Sequence, residues 1–259
     1  GDSSIKSYDV YLAQAGKPLT LMTKTSKSHY VPTELKELTT YNWRVDTRSA
    51  DGALIVKGDA WSFKTHVAGA FLEEHDLFVA GTAGYACYRI PSIIKAPNGD
   101  LLAFCEGRVN GPSDYGNIDI VMKRSTDNGK TWGALKVIFE DGKYAIANPC
   151  PVVDESNDRL WMAFNRNYYN PDYRVYTSYS DDSGRTWSPR KDITKKVSSP
   201  NWPRYGTSPC TGIQLKCKKY RGRLVIPSYH IIGGVGREHG DHMMYSDDHG
   251  KTWKKSERI

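Results

Sequence analysis

Two arginines and one aspartate stand out as residues that could do chemistry together. Arg89 interrupts an apolar segment, Arg108 follows a second apolar run, and Asp114 lies six residues further on in a loop rich in Gly, Pro and Ser. The ends of short strands are where charged side chains converge in one cleft, so we expect these three to share a site. A guanidinium group binds a carboxylate through paired hydrogen bonds, and a carboxyl group on a loop can donate and accept a proton. The pattern therefore indicates one cleft that contains two guanidinium groups and a carboxyl group.

Short strands must position these residues. The segment 88–91, the run 101–105 after the turn Pro97–Asp100, and the run 118–124 each have the composition of a strand bounded by turn residues. Beyond residue 80, no window of about 12 residues shows the stripe of an amphipathic helix. We therefore expect the rest of the chain to be all-β.

One turn sequence occurs three times and predicts the architecture. Each copy has Ser, Asp, Gly, Thr and Trp at the same spacing, and the copies begin 55 and 66 residues apart, which suits four antiparallel strands plus loops. The Asp accepts hydrogen bonds from amides of its own turn, and the Gly takes the positive-φ position. Because a carboxylate engaged in this way is a poor acid or base, we expect a structural role for these turns: Ser125–Trp132, Ser180–Trp187 and Ser246–Trp253.

These turns resemble the Asp boxes of β-propellers, a fold shared by enzymes and non-enzymes. Tyr88-Arg89-Ile90-Pro91 resembles the (F/Y)RIP motif of exo-α-sialidases, and Glu106-Gly107-Arg108 with Asp114 resembles that family's next arginine and its acid/base aspartate. The resemblance covers roughly residues 70–259 and implies a six-bladed sialidase β-propeller over 67–259, of which about half is present. Three further segments are also similar to strands of sialidase blades: 148–153, 212–215 and 222–227.

The resemblance implies a role for each charged residue. Arg89 is expected to bind the carboxylate of a sialic acid, and Arg108 to contact the sugar near its ring hydroxyls. Asp114 is expected to protonate the leaving oxygen and later to activate water, with Asp119 as an alternative. Tyr229, followed by a histidine, could line the same cleft, although a packed strand end is the simpler interpretation.

The activity implied by the resemblance is that of an exo-α-sialidase. This glycoside hydrolase releases terminal α-linked sialic acid from glycoproteins, glycolipids and oligosaccharides with retention of configuration, using a tyrosine nucleophile with a glutamate. In the family pattern these two residues and two more arginines follow the part matched here, so we expect residues 1–259 alone to be inactive or very weakly active. Two alternatives stay open: a trans-sialidase, and a non-catalytic Asp-box propeller that binds glycan or protein.

Residues 1–66 predict a separate module. The segments 7–12 and 41–46 alternate between apolar and polar residues, as half-buried strands do. Leu38–Tyr41 resembles the tyrosine corner of a β-sandwich, and Asp51-Gly52 predicts a hairpin. The module therefore resembles a partial fibronectin type III β-sandwich whose first strands are absent, with no chemistry of its own.

Composition limits the classes of partner. The chain has 36 Lys or Arg and 29 Asp or Glu among 259 residues, and the resulting charge of +7 is spread along it, which argues against a nucleic-acid-binding stripe. No apolar run is long enough to span a membrane, and no signal peptide is visible, although the resemblance implies a secreted, periplasmic or cell-surface protein. The five cysteines predict buried free thiols. The histidines lack ligand spacing and no phosphate-binding loop is present, so we expect neither a metal nor a cofactor.

Overall fold

The computed structural model describes residues 5–67, 74–167, 173–233 and 238–257. The chain divides into two compact units, Gly1–His75 and Asp76–Ile259. Within the described ranges, helix is confined to one α-helical turn, α1 (Thr194–Val197), and one 3-10 turn, Lys218–Tyr220, which confirms the all-β prediction. Among these residues no helix is long and apolar enough to cross a membrane.

Five strands form one antiparallel sheet in the N-terminal unit, in the order β2-β1-β3-β4, with β5 also paired to β3. Tyr41 on β3 is buried, and its hydroxyl accepts a hydrogen bond of 2.9 Å from the backbone N–H of Lys36. This contact is the one predicted for a tyrosine corner. The assignment to the fibronectin type III class stays a prediction. The strands are β1 (Ser7–Gln14), β2 (Thr20–Thr25), β3 (Thr40–Arg48), β4 (Leu54–Val56) and β5 (Trp61–Lys64).

The C-terminal unit contains three successive antiparallel sheets, which we call blades 1, 2 and 3. Blades 1 and 2 adjoin through a single parallel pair, Ala145 with Ile118, and the first strand of blade 3 is broken into two pieces that both pair with β16. The strands of blade 1 are β6 (Cys87–Lys95), β7 (Leu101–Arg108), β8 (Ile118–Ser125) and β9 (Lys136–Phe139). Those of blade 2 are β10 (Ala145–Asp154), β11 (Arg159–Asn167), β12 (Arg174–Ser180) and β13 (Lys191–Asp192). Those of blade 3 are β14 (Arg204–Thr207), β15 (Ile213–Gln214), β16 (Leu224–Ile232), β17 (Glu238–Ser246) and β18 (Lys254–Lys255).

The hydrophobic core lies between neighbouring blades. Leu102, Phe104 and Ile120 of blade 1 pack against Ile146 and Phe164 of blade 2, and all five are fully buried. A second cluster lies between blades 2 and 3. In it, Trp161 of blade 2 packs edge to face against Trp253 of blade 3, with ring centroids 6.0 Å apart. Blade 2 thus buries one face of its sheet against blade 1 and the other against blade 3, as in a propeller.

Each Asp-box turn connects the third and fourth strands of a blade. In the first, Ser125 donates from Oγ to Oδ1 of Asp127 at 2.7 Å, and the hydroxyl of Thr131 donates to Oδ2 at 2.6 Å. The hydrogen bond from Thr131 lowers the pKa of Asp127 to about 2, so this carboxylate stays ionised and occupied. The same contacts recur at Asp182 and Asp248. The prediction that these aspartates are structural is confirmed.

The first of these turns lies at the opposite end of blade 1 from the two arginines. Leu101, at the start of β7, pairs with Ser125 of the turn, whereas Arg108, at the end of β7, pairs with Ile118. Eight residues of strand separate the two ends by about 23 Å at 3.3 Å per residue. The Asp box therefore cannot contribute to a site built around Arg108.

Candidate active site

A bulge in the first strand of blade 1 presents Arg89 to a cavity. The pairing of β6 with β7 shifts register between Arg89 and Ser92. Within the bulge Ile90 has φ of 58°, a conformation that costs a β-branched residue about 1–3 kcal/mol, and Pro91 follows it. Because a bulge bends its strand and redirects side chains, the motif places Arg89 and Ile90 at the cavity wall.

Arg89, Arg108 and Asp114 converge, as the sequence predicted. Oδ1 of Asp114 lies 2.8 Å from Nη1 of Arg108 and 3.1 Å from Nη1 of Arg89. Both guanidinium groups also donate to the carbonyl of Pro112, at 2.6 Å from Arg108 and 3.3 Å from Arg89. The loop carrying Asp114 is thereby held against the ends of β6 and β7. The convergence is confirmed, and the chemical role of each residue is a proposal.

Exposure separates the two arginines. The side chain of Arg89 is 47% exposed, whereas that of Arg108 is 2% exposed. Nε and Nη2 of Arg108 both donate to Oε2 of Glu106. Nη1 of Arg108 contacts Oδ1 of Asp114 and donates to the carbonyl of Pro112. Arg108 is thus largely committed to protein acceptors and contacts Asp114, and its expected contact with the sugar stays a prediction. Arg89 keeps open donors for a ligand.

Glu106 links blade 1 to blade 2. Its Oε1 accepts the backbone N–H of Asn148 at 2.9 Å, and Asn148 sits with φ of 54° in a second bulge, on β10. The side chain of Asn148 in turn donates to the carbonyl of Thr207 in blade 3 at 2.9 Å. Burial raises the pKa of Glu106, while the Asn148 amide and the charge of Arg108 oppose that rise. For Arg108, burial has the opposite effect and lowers the pKa. The carboxylates of Glu106 and Asp114 outweigh the effect of burial, so the pKa of Arg108 lies above its ordinary value.

Sequence reasoning missed Asn148, although a signal was available. The first strand of each blade contains a dipeptide that ends in proline. These dipeptides are Ile90-Pro91 in blade 1, Asn148-Pro149 in blade 2 and, where the first strand is interrupted, Ser208-Pro209 in blade 3. In the first two blades the residue before the proline has positive φ and lies in the cavity wall. Alignment of the three repeats from their Asp boxes backwards would have revealed this recurrence.

The cavity around these residues has a volume of about 210 Å³. Tyr229 is part of its wall, so the simpler interpretation of this residue as a packed strand end was wrong, whereas His230 beside it is buried and stacked on Trp202 with ring centroids 3.9 Å apart. All three blades contribute to the wall. The lining residues are Arg89, Ile90, Glu106, Arg108, Asp114, Ala147, Asn148, Arg204 and Tyr229.

Arg204, on β14, is a third cation in this wall and was not predicted. Its Nε is buried and has no hydrogen-bond partner among the described residues. Among the described residues, no carboxylate lies within ion-pair distance of the Arg204 guanidinium group. Its neighbours are aromatic, and the Cζ of Arg204 lies 6.0 Å from the ring centroid of Tyr173. The cavity wall therefore holds three guanidinium groups and two carboxyl groups, Glu106 and Asp114. This balance suits an anionic ligand.

Asp119, the alternative to Asp114, does not line the cavity. It pairs with Gly107 on β7, is 7% exposed, and accepts a hydrogen bond of 2.8 Å from the hydroxyl of Tyr85. Burial raises the pKa of Asp119, and the Tyr85 hydrogen bond partly offsets that effect. Asp114 is therefore the carboxyl group available to a ligand. Among the described residues, no group of three His, Cys, Asp or Glu side chains could hold a metal ion.

Comparison with known families settles the family of the chain. A family profile described as "BNR repeat-like domain" matches residues 99–259. The chain belongs to the BNR-repeat family. Its curated relatives include a sialidase from Micromonospora viridifaciens, which is 34% identical over an alignment of 204 positions that covers 72% of this chain and 31% of the relative. An exo-alpha-sialidase from Aspergillus fumigatus is 32% identical over an alignment of 180 positions that covers 58% of this chain and 43% of the relative. The BNR-repeat chain thus spans about a third to a half of the length of these relatives.

Solved structures identify the fold of this BNR-repeat chain. The Hadza microbial sialidase Hz136 superposes with a TM-score of 0.65 at 20% identity, covering 100% of this chain and 63% of that one. An intramolecular trans-sialidase from Ruminococcus gnavus gives a TM-score of 0.61 at 17% identity over 70% of this chain and 62% of that one. With the three stacked blades, these likenesses establish a sialidase-type β-propeller.

Proposed function

We propose that the protein carrying this chain is an exo-α-sialidase, a retaining glycoside hydrolase acting on terminal α-linked sialic acid of glycoproteins, glycolipids and oligosaccharides. The observation that carries the proposal is the contact of Asp114 with both Arg89 and Arg108 in one cavity. Relatives named sialidase and exo-alpha-sialidase support it.

Arg89 is proposed to bind the substrate carboxylate. Its side chain is about half exposed, and only its Nη1 contacts protein acceptors among the described residues. A guanidinium group has five N–H donors in a planar fork, so the remaining donors can form a paired contact with a carboxylate. We assign a supporting role to Arg204, whose buried Nε can donate to another oxygen of the sugar.

Asp114 is proposed to act as general acid and then as general base. In the absence of substrate, Nη1 of Arg89 and Nη1 of Arg108 both contact its Oδ1, which holds the carboxyl group at the cavity wall. A substrate carboxylate on Arg89 competes for that cation and leaves Asp114 with Arg108 as its main partner. Arg108 thus keeps the Asp114 carboxyl group in position while the substrate is bound.

Release of a fluorescent aglycone from an α-sialoside by the full-length protein tests this proposal. We expect Asp114→Asn to lower kcat by about 100- to 10,000-fold, the range typical of a lost general acid. The matched control is Asp181→Asn, which removes an exposed carboxylate paired with Arg159 outside the cavity and should leave kcat unchanged. Full activity of Asp114→Asn would show that the acid lies elsewhere.

A trans-sialidase is the second candidate, because similar structures include the intramolecular trans-sialidase from Ruminococcus gnavus. A leech intramolecular trans-sialidase, which has a TM-score of 0.61 at 13% identity, was solved with 2,7-anhydro-Neu5Ac. Mass analysis of the products distinguishes the reactions: free sialic acid indicates hydrolysis, whereas an anhydro sugar or a sialylated acceptor indicates transfer. Binding of sialoside without any turnover would identify a non-catalytic glycan-binding propeller.

We also propose that the protein acts outside the cytoplasm, in the periplasm, at the cell surface or in the medium. The reason is that sialylated glycoconjugates are displayed on cell surfaces and secreted proteins. Fractionation of the source cells, with detection by an antibody against this chain, tests the assignment. Recovery in the cytosolic fraction alone would contradict it.

A further inference from the structure

Two cysteines meet at the junction of blades 2 and 3. Cys150 follows Asn148-Pro149 on β10, and Cys210 follows the equivalent step Ser208-Pro209 in blade 3. Their sulfur atoms are 4.0 Å apart although the residues are 60 positions apart in sequence, and neither cysteine lines the cavity. Ser92, at the same repeat position in blade 1, donates from Oγ to the carbonyl of Cys210 at 3.1 Å. Equivalent residues of three blades therefore come together here.

The two thiols differ in accessibility and acidity. Cys150 is fully buried, whereas Cys210 is partly exposed. The hydrogen bond from Cys150 lowers the pKa of Cys210 to about 7, and the same bond together with burial raises the pKa of Cys150. Cys210 is therefore the more accessible and the more acidic of the two thiols, and the thiolate is the nucleophilic form. This pair joins an accessible nucleophile to a protected thiol that can resolve its adduct.

We propose that Cys150 and Cys210 form a thiol–disulfide exchange site whose substrate is a low-molecular-weight disulfide such as oxidised glutathione. The Cys210 thiolate attacks one sulfur of the disulfide, so that a mixed disulfide forms and one glutathione thiolate leaves. Cys150 then loses its proton and attacks the Cys210 sulfur, which releases the second glutathione. Two electrons pass from the cysteine pair to the glutathione disulfide. A disulfide bond is about 2.05 Å long, so the sulfurs must approach by about 2 Å.

Oxidation ties two blades together beside the cavity. The new bond connects β10 to the segment between β14 and β15, two residues from Asn148 in the cavity wall. The closed loop restricts the unfolded chain, so oxidation should stabilise the C-terminal unit. This inference is independent of the proposed glycosidase activity.

The test uses full-length protein carrying Cys217→Ser, because Cys217 is exposed and would react by itself. After incubation with oxidised glutathione, thiols are alkylated in denaturant and mapped by mass spectrometry. We expect a Cys150–Cys210 peptide, a mass loss of about 2 Da from the two hydrogens removed, and a rise in Tm of roughly 5 °C.

Two variants test the order of events. Cys150→Ser should stop at a stable glutathione adduct on Cys210, and Cys210→Ser should leave Cys150 reduced, with no rise in Tm for either. Cys105→Ser, which removes a buried thiol outside the pair, should still form the bond. Alkylation of both Cys150 and Cys210 after excess oxidant, or a lasting adduct on Cys210 while Cys150 is intact, overturns the proposal. The peptide map of the parent protein decides the matter even if a variant fails to fold.

Discussion

Glu106 and Arg108 form a buried ion pair two residues apart on β7. Nε of Arg108 donates to Oε2 of Glu106 at 2.9 Å, and Nη2 donates to the same oxygen at 2.5 Å. The side chain of Arg108 is 2% exposed and that of Glu106 is 1% exposed. Through this pair, a backbone amide of blade 2 is connected to the guanidinium group that holds Asp114. The proposed acid is thus positioned by a contact between blades.

Loss of the Glu106 charge should destabilise the C-terminal unit strongly. Glu106→Gln leaves Arg108 buried without its main counter-charge, and breaking a buried ion pair costs about 3–5 kcal/mol. Urea unfolding of the variant measures this cost. The matched control is Asp181→Asn, which breaks an ion pair whose carboxylate is 59% exposed and should cost under about 1 kcal/mol. Equal losses in the two variants would contradict the structural role of Glu106.

Arg204→Ala should weaken substrate binding more than turnover. A lost hydrogen bond from a charged donor costs about 1.5–3 kcal/mol, so we expect KM to rise at least about tenfold while kcat changes little. Arg221→Ala removes the same charge from an exposed position outside the cavity and is the matched control. If both variants keep the parent KM, Arg204 does not contact the sugar.

The stability of blade 3 should depend on pH through His242. Its Nδ1 lies 3.1 Å from Nδ1 of buried His230. Burial first, then the charges of His230 and Lys255, lower the pKa of His242 from 6.5 to about 4, with Asp241 opposing them. Between pH 6.5 and 4 the unfolded chain therefore binds more protons at this histidine than the folded chain does. The stability that neutral His242 contributes is complete above pH 6.5 and is lost as the pH falls through 4.

The measurement is Tm at pH 7 and at about pH 4.5 for the parent protein and His242→Gln. We expect the Tm of the parent to fall more between these conditions, because the variant lacks the group that takes up a proton on unfolding. The carboxylate of the Asp box at Asp127, whose pKa is about 2, titrates below this window. An identical fall in Tm for the parent protein and His242→Gln would show that other groups cause the pH dependence.

Gly250→Ala should destabilise the third Asp box far more than Gly129→Ala destabilises the first. Both glycines have positive φ, of 80° and 90°, so the backbone strain is similar. A Cβ at Gly250 would lie 2.2 Å from the Trp161 ring, whereas one at Gly129 would meet Leu101 at an ordinary 3.5 Å. Since the indole is held between two blades, we expect an extra loss of about 1–3 kcal/mol for Gly250→Ala in urea unfolding. Equal losses would mean that Trp161 moves aside freely.

The sequence determined those features whose contacts are local. The Asp-box turns could be predicted because Asp127 bonds to residues two and four positions away, so the motif carries its own geometry. Arg89, Arg108 and Asp114 could be grouped because neighbouring antiparallel strands return the chain to the same end of blade 1. The Tyr41 contact with Lys36 is local for the same reason.

Only the tertiary structure decided which residues meet between blades. Glu106 bonds to Asn148 across 42 positions, and Cys150 approaches Cys210 across 60. Arg204 lines the same cavity as Asn148 of blade 2, which lies 56 positions earlier in the sequence. Such contacts depend on how far each blade is rotated and shifted against the next, which follows from side-chain packing in the shared core rather than from the spacing of residues within one repeat.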